Sequence, residues 1–237
     1  MKNVALNIDE SWDIDISLIS QSYLEFLEKN TNYIPKKENI FNAFKTLKKN
    51  DVKYVLFGQD PYPRELSATG YAFIDGNVKD IFSSTGTLNR EVNRATSLRN
   101  FIKMALVARG DLNKDDLSPQ AISSLDKSNF INDIWQLKYN FEKNGVLLLN
   151  TALVFTDKKS CVFHAKEWEA FILGTIDKLD SQKVKLILFG SFAQNLYEKN
   201  KSLQKFDAFA CEHPYNISFI TNEDVIEFFR PMDLLLA

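Results

Sequence analysis

Four short, β-rich apolar runs are each followed at once by a polar residue that could do chemistry. The runs lead into Asp60, Asn150, Ser191 and His213. In this order, the four residues offer a carboxylate in a stiff loop, an amide that can pair with an adjacent donor and acceptor, a phosphate-binding position, and a general acid or hydrogen-bond donor. If the runs are parallel strands, these side chains can converge where ligands bind, beyond the carboxyl ends of the strands.

Each of these residues also has a purely structural interpretation. Asp60 stands before a proline, where an Asp often makes only a turn hydrogen bond. The Asn150 amide is costly at the end of an apolar strand unless it is bonded, and loop backbone could bond it as well as a ligand. Ser191 fits an ordinary helix N-cap, and a lone His such as His213 is commonly a satisfied side chain. The residue types alone leave both interpretations open.

Scarce residues exclude several other chemistries. The chain has two His and two Cys, which cannot build a zinc finger, a four-cysteine site or an HExxH site. No two of its eight glycines lie two apart, and the signatures of dinucleotide-binding, P-loop and serine-hydrolase proteins are all missing. We therefore expect no cofactor and no metal. We interpret Cys161 and Cys211 as buried small hydrophobes in a reducing cytoplasm.

Length and composition favour one globular domain over residues 1–237. The apolar fraction is 45%, the aromatic fraction 13% and the formal net charge −2. This charge argues against a protein that coats nucleic acid non-specifically, although it allows local binding of a few phosphates. Acidic residues occur within the first ten positions, which argues against the apolar core of a signal peptide. The longest apolar run is far short of the ~20 residues that span a bilayer. We expect a soluble, cytoplasmic protein without membrane contact.

Strand-like runs that alternate with helical patterns predict an α/β fold: a single domain with a central four-stranded parallel sheet flanked by helices on both faces. Two helices are predicted before the first strand, over 17–29 after a Ser17 cap and over 38–48. The strands are predicted at 53–57, 146–149, 184–189 and 207–211, and the later helices near 97–108, 133–143, 167–179, 191–199 and 222–230.

Five motifs in this order resemble the family 1 uracil-DNA glycosylases, the main uracil-excision enzymes of bacteria, viruses and eukaryotes. The resemblance extends from about residue 11 to about residue 218 and covers most of the chain. The motifs are GQDPY at 58–62, TGYAF at 69–73, LLLNT at 147–151, GSFAQ at 190–194 and HP at 213–214.

The resemblance implies hydrolysis of the N-glycosidic bond of uracil in DNA by base flipping, which leaves an abasic site for base-excision repair. It implies that Asp60 positions and activates the attacking water and stabilises the oxocarbenium sugar. His213 would be a neutral imidazole that donates to uracil O2. Asn150 would pair with N3 and O4 and reject cytosine, Tyr62 would stand against C5 where thymine has a methyl group, and Phe73 would stack on the flipped ring.

For the remaining contacts, the resemblance implies that Gln59 lines the base pocket. Ser97 and Ser191, with nearby backbone amides, would grip DNA phosphates, and Ile217 would wedge into the vacated base stack. Position counting assigns the wedge to Ile217, with Tyr215 as a substitute. The partner is uracil-containing DNA, single- or double-stranded, and we expect a monomer.

Departures from the family pattern sustain a second hypothesis. Pro63 stands where the family usually has His, the segment 95–98 reads Ala-Thr-Ser-Leu instead of Pro-Pro-Ser-Leu, and the wedge loop 215–218 diverges most. The alternative is a catalytically weakened glycosylase fold that serves as a DNA-binding or polymerase-partner module. The retained catalytic and pocket residues favour the enzyme, since a pure binder has no physical need of them.

Overall fold

A four-stranded parallel sheet in the order β2-β1-β3-β4 confirms the predicted α/β class. All five residues of β2 are buried, and apolar side chains dominate β1 and β3, as expected when helices cover a parallel sheet. In the register of β1 and β2, Gly58 lies opposite Asn150. The strands are β1 (Tyr54–Gly58), β2 (Val146–Asn150), β3 (Lys185–Phe189) and β4 (Asp207–Cys211).

The computed structural model describes residues 8–237, so positions 1–7, on which the argument against a leader partly depends, lie outside the described residues. The described residues group into two compact units. The first unit comprises 8–75, 145–188 and 192–210, and the second comprises Gly76–Asn144, Phe189–Ser191 and Cys211–Ala237. The expectation of one domain over 1–237 stays a prediction. No helix within 8–237 is long and apolar enough to cross a membrane.

Two of the long helices begin at residues other than predicted. Helix α1 (Gln21–Lys29) is capped by Ser20, whose hydroxyl accepts a hydrogen bond from the Tyr23 N–H, so the predicted Ser17 cap is wrong. Ser17 instead donates to Asp15 ahead of the helix. Helix α6 (Cys161–Asp177) starts six residues before the predicted boundary at 167, because its first turn exposes the apolar Val162 and Phe163 and buries His164, so the apolar spacing does not mark its buried face.

The two cysteines also differ from expectation. Cys161 and Cys211 are free and only part-buried, so the interpretation of both as buried small hydrophobes is wrong.

The predicted helix over 38–48 is wrong, because this segment forms separate 3-10 turns at Lys37–Asn39 and Asn42–Phe44. The side chain of Asn42 donates to the Thr69 carbonyl at 2.8 Å, which ties this segment to a loop that is distant in sequence. Gly70 also packs so closely that a Cβ there would lie 1.9 Å from the Asn39 carbonyl oxygen. Apolar spacing alone shows neither contact.

The second unit contains the helices that support the later loops. Helix α3 (Thr96–Arg109) is followed by the C-cap residue Gly110, whose left-handed φ of 83° is a conformation that favours glycine. Helix α5 starts with a capping box between Asp133 and Gln136. The short helices α2 and α4 were not predicted, since five residues carry too little periodicity. The helices are α2 (Arg90–Arg94), α3 (Thr96–Arg109), α4 (Pro119–Ser123), α5 (Ile134–Lys143) and α8 (Glu223–Phe229); α7 (Gly190–Lys199) follows β3.

Candidate active site

The loop after β1 is tied directly to the loop after β2. The Gln59 carbonyl accepts hydrogen bonds from the Thr151 hydroxyl at 2.8 Å and from the Ala152 N–H at 3.0 Å. The Thr151 N–H donates to the Gly58 carbonyl at 2.9 Å. These bonds fix the backbone directly before Asp60, whose side chain is half-buried, whereas the Gln59 side chain is exposed. The polar residues that end two strands therefore share one rigid framework.

Asn150 ends β2 with its amide packed over the backbone of Gly58. A Cβ on residue 58 would lie 2.1 Å from the Asn150 Oδ1 and 2.9 Å from the Ala72 Cβ, so only glycine fits there. Asn150 is 3% exposed. Within residues 8–237 its side-chain amide makes no hydrogen bond to protein. Its amide atoms are not among the fully buried groups without a partner, so the amide keeps access to solvent and can pair with a ligand that supplies an adjacent donor and acceptor.

In the first unit, the side chain of Tyr62 is bonded to the backbone of Phe73. The Tyr62 hydroxyl donates to the Phe73 carbonyl at 3.4 Å. Burial, together with the negative charge of Asp75, raises the pKa of Tyr62, so its ring stays neutral. Phe73 has a φ of 68°, a left-handed conformation that is strained for a bulky side chain and is found at functional positions.

His213 follows β4 in the second unit, and its imidazole is oriented by backbone. The Tyr215 N–H donates to His213 Nδ1 at 3.0 Å, which leaves Nε2 to carry the proton of the neutral ring. Desolvation lowers the pKa of His213 below its ordinary value of 6.5. A Cβ on Gly190 would lie 2.8 Å from the His213 Cβ, and the left-handed φ of 69° also requires glycine there. The site thus contains a neutral imidazole that carries its proton on Nε2.

The divergent loop after His213 is anchored by a residue that sequence reasoning missed. The buried Asn100 side chain donates to the carbonyl groups of Pro214, Tyr215 and Asn216 at 2.8–3.3 Å. Its signal in the sequence is a polar residue on the otherwise apolar buried face of α3. Ile217 is 76% exposed and projects from this anchored loop.

Ser97 and Ser191 each lie in the first turn of a helix. Ser97 is half-buried in α3, whose N-cap position is Ala95 and makes no side-chain cap. The first N–H groups of α3 thus lack a capping side chain, which suits a phosphate. Ser191 is exposed in the first turn of α7, directly after the glycine that packs on His213. Both serines are therefore placed where a helix N-terminus favours an anion.

The sequence of this chain matches a known protein family and its members. The model of the Uracil DNA glycosylase superfamily matches residues 44–232. The chain belongs to that superfamily. It is 30% identical over 211 residues to a uracil-DNA glycosylase of Mycoplasma genitalium. That match covers 85% of this chain and 74% of the relative.

Solved structures support the same assignment. The UNG crystal structure from Nitratifractor salsuginis has a TM-score of 0.93 and 50% identity, covering 98% of this chain and 94% of that one. A mimivirus uracil-DNA glycosylase shares the fold, with a TM-score of 0.54 and 22% identity over 84% of this chain and 62% of that one. A Borreliella burgdorferi uracil-DNA glycosylase is 29% identical over 76% of this chain. This chain spans 65% of the length of that relative, a little less than two thirds.

The predicted site residues fall into two sets. The first unit contains Gln59, Asp60, Tyr62, Phe73 and Asn150, linked by the contacts above. The second unit contains Ser97, Ser191, His213 and Ile217. Among residues 8–237 there is no group of three or more His, Cys, Asp or Glu side chains that could hold a metal ion.

Proposed function

We propose that this chain hydrolyses uracil from DNA and that the two sets of site residues act on one extruded nucleotide. The observation that carries the proposal is the Asn150 amide at the end of the buried strand β2, which has no protein partner within residues 8–237 and lies on the framework that bears Asp60. Uracil presents N3–H as a donor beside O4 as an acceptor, which matches the Oδ1 and Nδ2 of that amide. Cytosine presents the reverse order, so it leaves both ends of the amide mismatched.

Recognition starts with removal of the base from the stack, because C1′ is inaccessible in a duplex. Phe73 offers a ring to stack on the flipped base, and the neutral Tyr62 ring closes the C5 side against the methyl group of thymine. Gln59 lines the pocket. The hydrogen bond from Tyr62 to the Phe73 carbonyl supports this proposal, because it joins the Tyr62 side chain to the backbone that carries Phe73 before DNA binds.

Bond cleavage places positive charge on the sugar and negative charge on the departing base. The Asp60 carboxylate orients and activates water and stabilises the oxocarbenium sugar. His213 donates Nε2–H to O2 of the uracil anion, and its lowered pKa keeps it a neutral donor at neutral pH. The proposal assigns both groups to the places where charge develops, the arrangement that provides most electrostatic catalysis.

DNA binding in this proposal depends on a few local contacts. Ser97 and Ser191 donate to phosphates at two helix N-termini, and Ile217 enters the vacated stack. Unstacking costs about a few kcal/mol, which contacts to the bent duplex offset. Few phosphate contacts are compatible with a net charge of −2.

We propose further that residues 1–237 work as one glycosylase-like domain, that the protein is a cytoplasmic monomer, and that it needs neither metal nor cofactor. Size-exclusion chromatography with light scattering tests the monomer, and a mass of twice 27.3 kDa contradicts it. Unchanged activity after dialysis against EDTA tests the metal-free proposal, and activity that returns only on metal addition contradicts it.

The deciding experiment uses oligonucleotides that carry one uracil, single- or double-stranded, with EDTA present and alkali added afterwards. We expect strand cleavage at the uracil position and none with thymine or cytosine in its place. DNA binding by folded protein without any cleavage would favour the non-enzymatic module instead. Asp60→Asn is the matched control, because it keeps the size of the side chain and removes its charge.

A further inference from the structure

The buried amide of Asn100, which anchors the loop after His213, is itself held by a neighbouring guanidinium. Arg99 Nε donates to Asn100 Oδ1 at 3.2 Å. Because Oδ1 accepts this bond, the amide presents its donor, Nδ2, to the carbonyl groups of residues 214–216. Arg99 therefore fixes the direction in which the Asn100 amide points.

A second bond holds the guanidinium from the other side. Arg99 Nη1 donates to the Asn93 carbonyl at 3.3 Å, in the last turn of α2. Asn93 is tied in turn to the segment before α2, because its Nδ2 donates to the Leu88 carbonyl at 2.9 Å. The guanidinium is planar, so two engaged donors determine its orientation. Arg99 thus joins the corner between α2 and α3 to the loop of His213.

The positive charge of Arg99 is not neutralised by these contacts. Both acceptors are uncharged, and among residues 8–237 no carboxylate forms an ion pair with this guanidinium. Lys103, one turn further along α3, likewise donates to a carbonyl, that of Leu117. Burial, and then the positive charge of Arg99, lower the pKa of Lys103. In the segment 86–103, one acidic residue, Glu91, stands against Arg90, Arg94, Arg99 and Lys103.

The guanidinium also has unused hydrogen-bond donors. It carries five N–H groups, and the bonds to Asn100 and Asn93 engage two of its nitrogens. Arg99 is half-buried and lies two residues after Ser97, at the same end of α3. Phosphate oxygens are acceptors that match the planar fork of a guanidinium, and an unneutralised cation favours their charge.

We propose that Arg99 binds a phosphate of the DNA backbone while its Nε holds Asn100, and that it so couples backbone binding to the position of the His213 loop. This inference rests on the proposed function of His213 and Ser97. Arg99 is a positioning residue, because it acts on the departing base only through Asn100 and the loop. A bound phosphate orders the guanidinium, so the loop is held most firmly when DNA is in place.

Two substitutions separate the charge of Arg99 from its fork of donors. Arg99→Lys keeps the charge, whereas Arg99→Met removes both. In binding to duplex DNA without uracil, Arg99→Met should reduce the slope of log K against log salt by about 1, and Arg99→Lys should keep the wild-type slope. Lys201→Met, at the opposite end of α7 from Ser191, is the control and should also keep it. An unchanged slope in Arg99→Met would overturn the phosphate contact.

Single-turnover excision at saturating uracil-containing DNA tests the positioning role. Neither variant retains Nε, so both should be slower than wild type by roughly tenfold, although only Arg99→Met should need more DNA for saturation. A merely structural arginine predicts a lowered Tm with a wild-type rate at saturation. A wild-type saturated rate in Arg99→Lys would therefore overturn the positioning role.

Hydrogen exchange tests the coupling without any glycosylase activity. The Tyr215 N–H, which donates to His213 Nδ1, should exchange with solvent about tenfold faster in both Arg99 variants, while the Leu56 N–H in β1 should be unaffected. Unchanged exchange at Tyr215, with uracil excision intact, would overturn the coupling alone. Faster exchange in a chain whose wild type excises no uracil would support the link from Arg99 to the loop and refute the proposed function.

Discussion

The backbone N–H of Tyr215 donates a 3.0 Å hydrogen bond to Nδ1 of His213, so the neutral imidazole carries its proton on Nε2. The same loop backbone is anchored by Asn100 through its carbonyl groups. The tautomer is thus determined by a loop whose own position is fixed from α3. A donor oriented before the substrate arrives needs no reorganisation as the uracil anion forms.

This relationship predicts the protonation behaviour of His213. Nitrogen-detected NMR at neutral pH should show the Nε2–H tautomer, and titration should give a pKa below 6.5, because desolvation disfavours the charged ring. As pH falls through that pKa, Nδ1 gains a proton and the bond from Tyr215 must break. The His213→Leu variant assigns the signals, since His164 is the other histidine of the chain. An Nδ1–H tautomer at neutral pH contradicts the proposed orientation.

Replacing Gly58 should damage the pocket more than the fold. In Gly58→Ala the added Cβ meets Asn150 Oδ1 at 2.1 Å, so the amide must move away from its base-reading position. We expect uracil excision to fall by about a hundredfold or more, as geometric misplacement predicts. Gly110→Ala is the control: its Cβ meets nothing within 4 Å, but its left-handed φ costs about 1 kcal/mol of stability. Equal activity losses in the two variants would show that stability alone is responsible.

Asn150→Asp tests the reading of the base edge. A carboxylate offers only acceptors, or one donor when it is protonated, so the match to uracil N3–H and O4 is lost. Uracil excision should fall by orders of magnitude while excision of cytosine becomes measurable, both followed by chromatography of the released bases. Asn195→Asp, on the exposed side of α7, is the matched control. An unchanged preference for uracil over cytosine contradicts the role of this amide.

Ile217→Ala should separate duplex from single-stranded substrates. The wedge is needed only where a neighbouring stack must be opened, so excision from duplex DNA should fall at least tenfold while single-stranded excision changes little. Tyr215→Ala is the paired variant, because Tyr215 is also exposed, at 67%. If Tyr215→Ala gives the larger duplex defect, the assignment to Ile217 is wrong.

Much of the fold could be predicted because its strands have strong local signals. The apolar runs ended by Gly58 and Asn150 gave two strands and the polar residues that follow them. The helix expected over 38–48 failed because its apolar spacing is shared by 3-10 turns, and the deciding contacts with Thr69 and Gly70 are distant in sequence. Secondary structure there is determined by tertiary packing, which a local pattern cannot show.

The candidate site shows the same limit. Motif order identified the residues that would touch uracil, but not the groups that orient them. Asn100 acts through contacts with a loop about 115 positions away along the chain, and it belongs to no motif used in the prediction. A polar residue on an apolar helix face is a signal only when its partner is known.

The most direct test of uracil excision is quantification of free uracil released from a single-uracil oligonucleotide in a single turnover with EDTA. The wild-type chain should release one uracil per site, whereas Asp60→Asn and His213→Leu, folded by circular dichroism, should each be slower by orders of magnitude. Release of no uracil by the folded wild-type chain, or wild-type rates in both variants, would contradict the account.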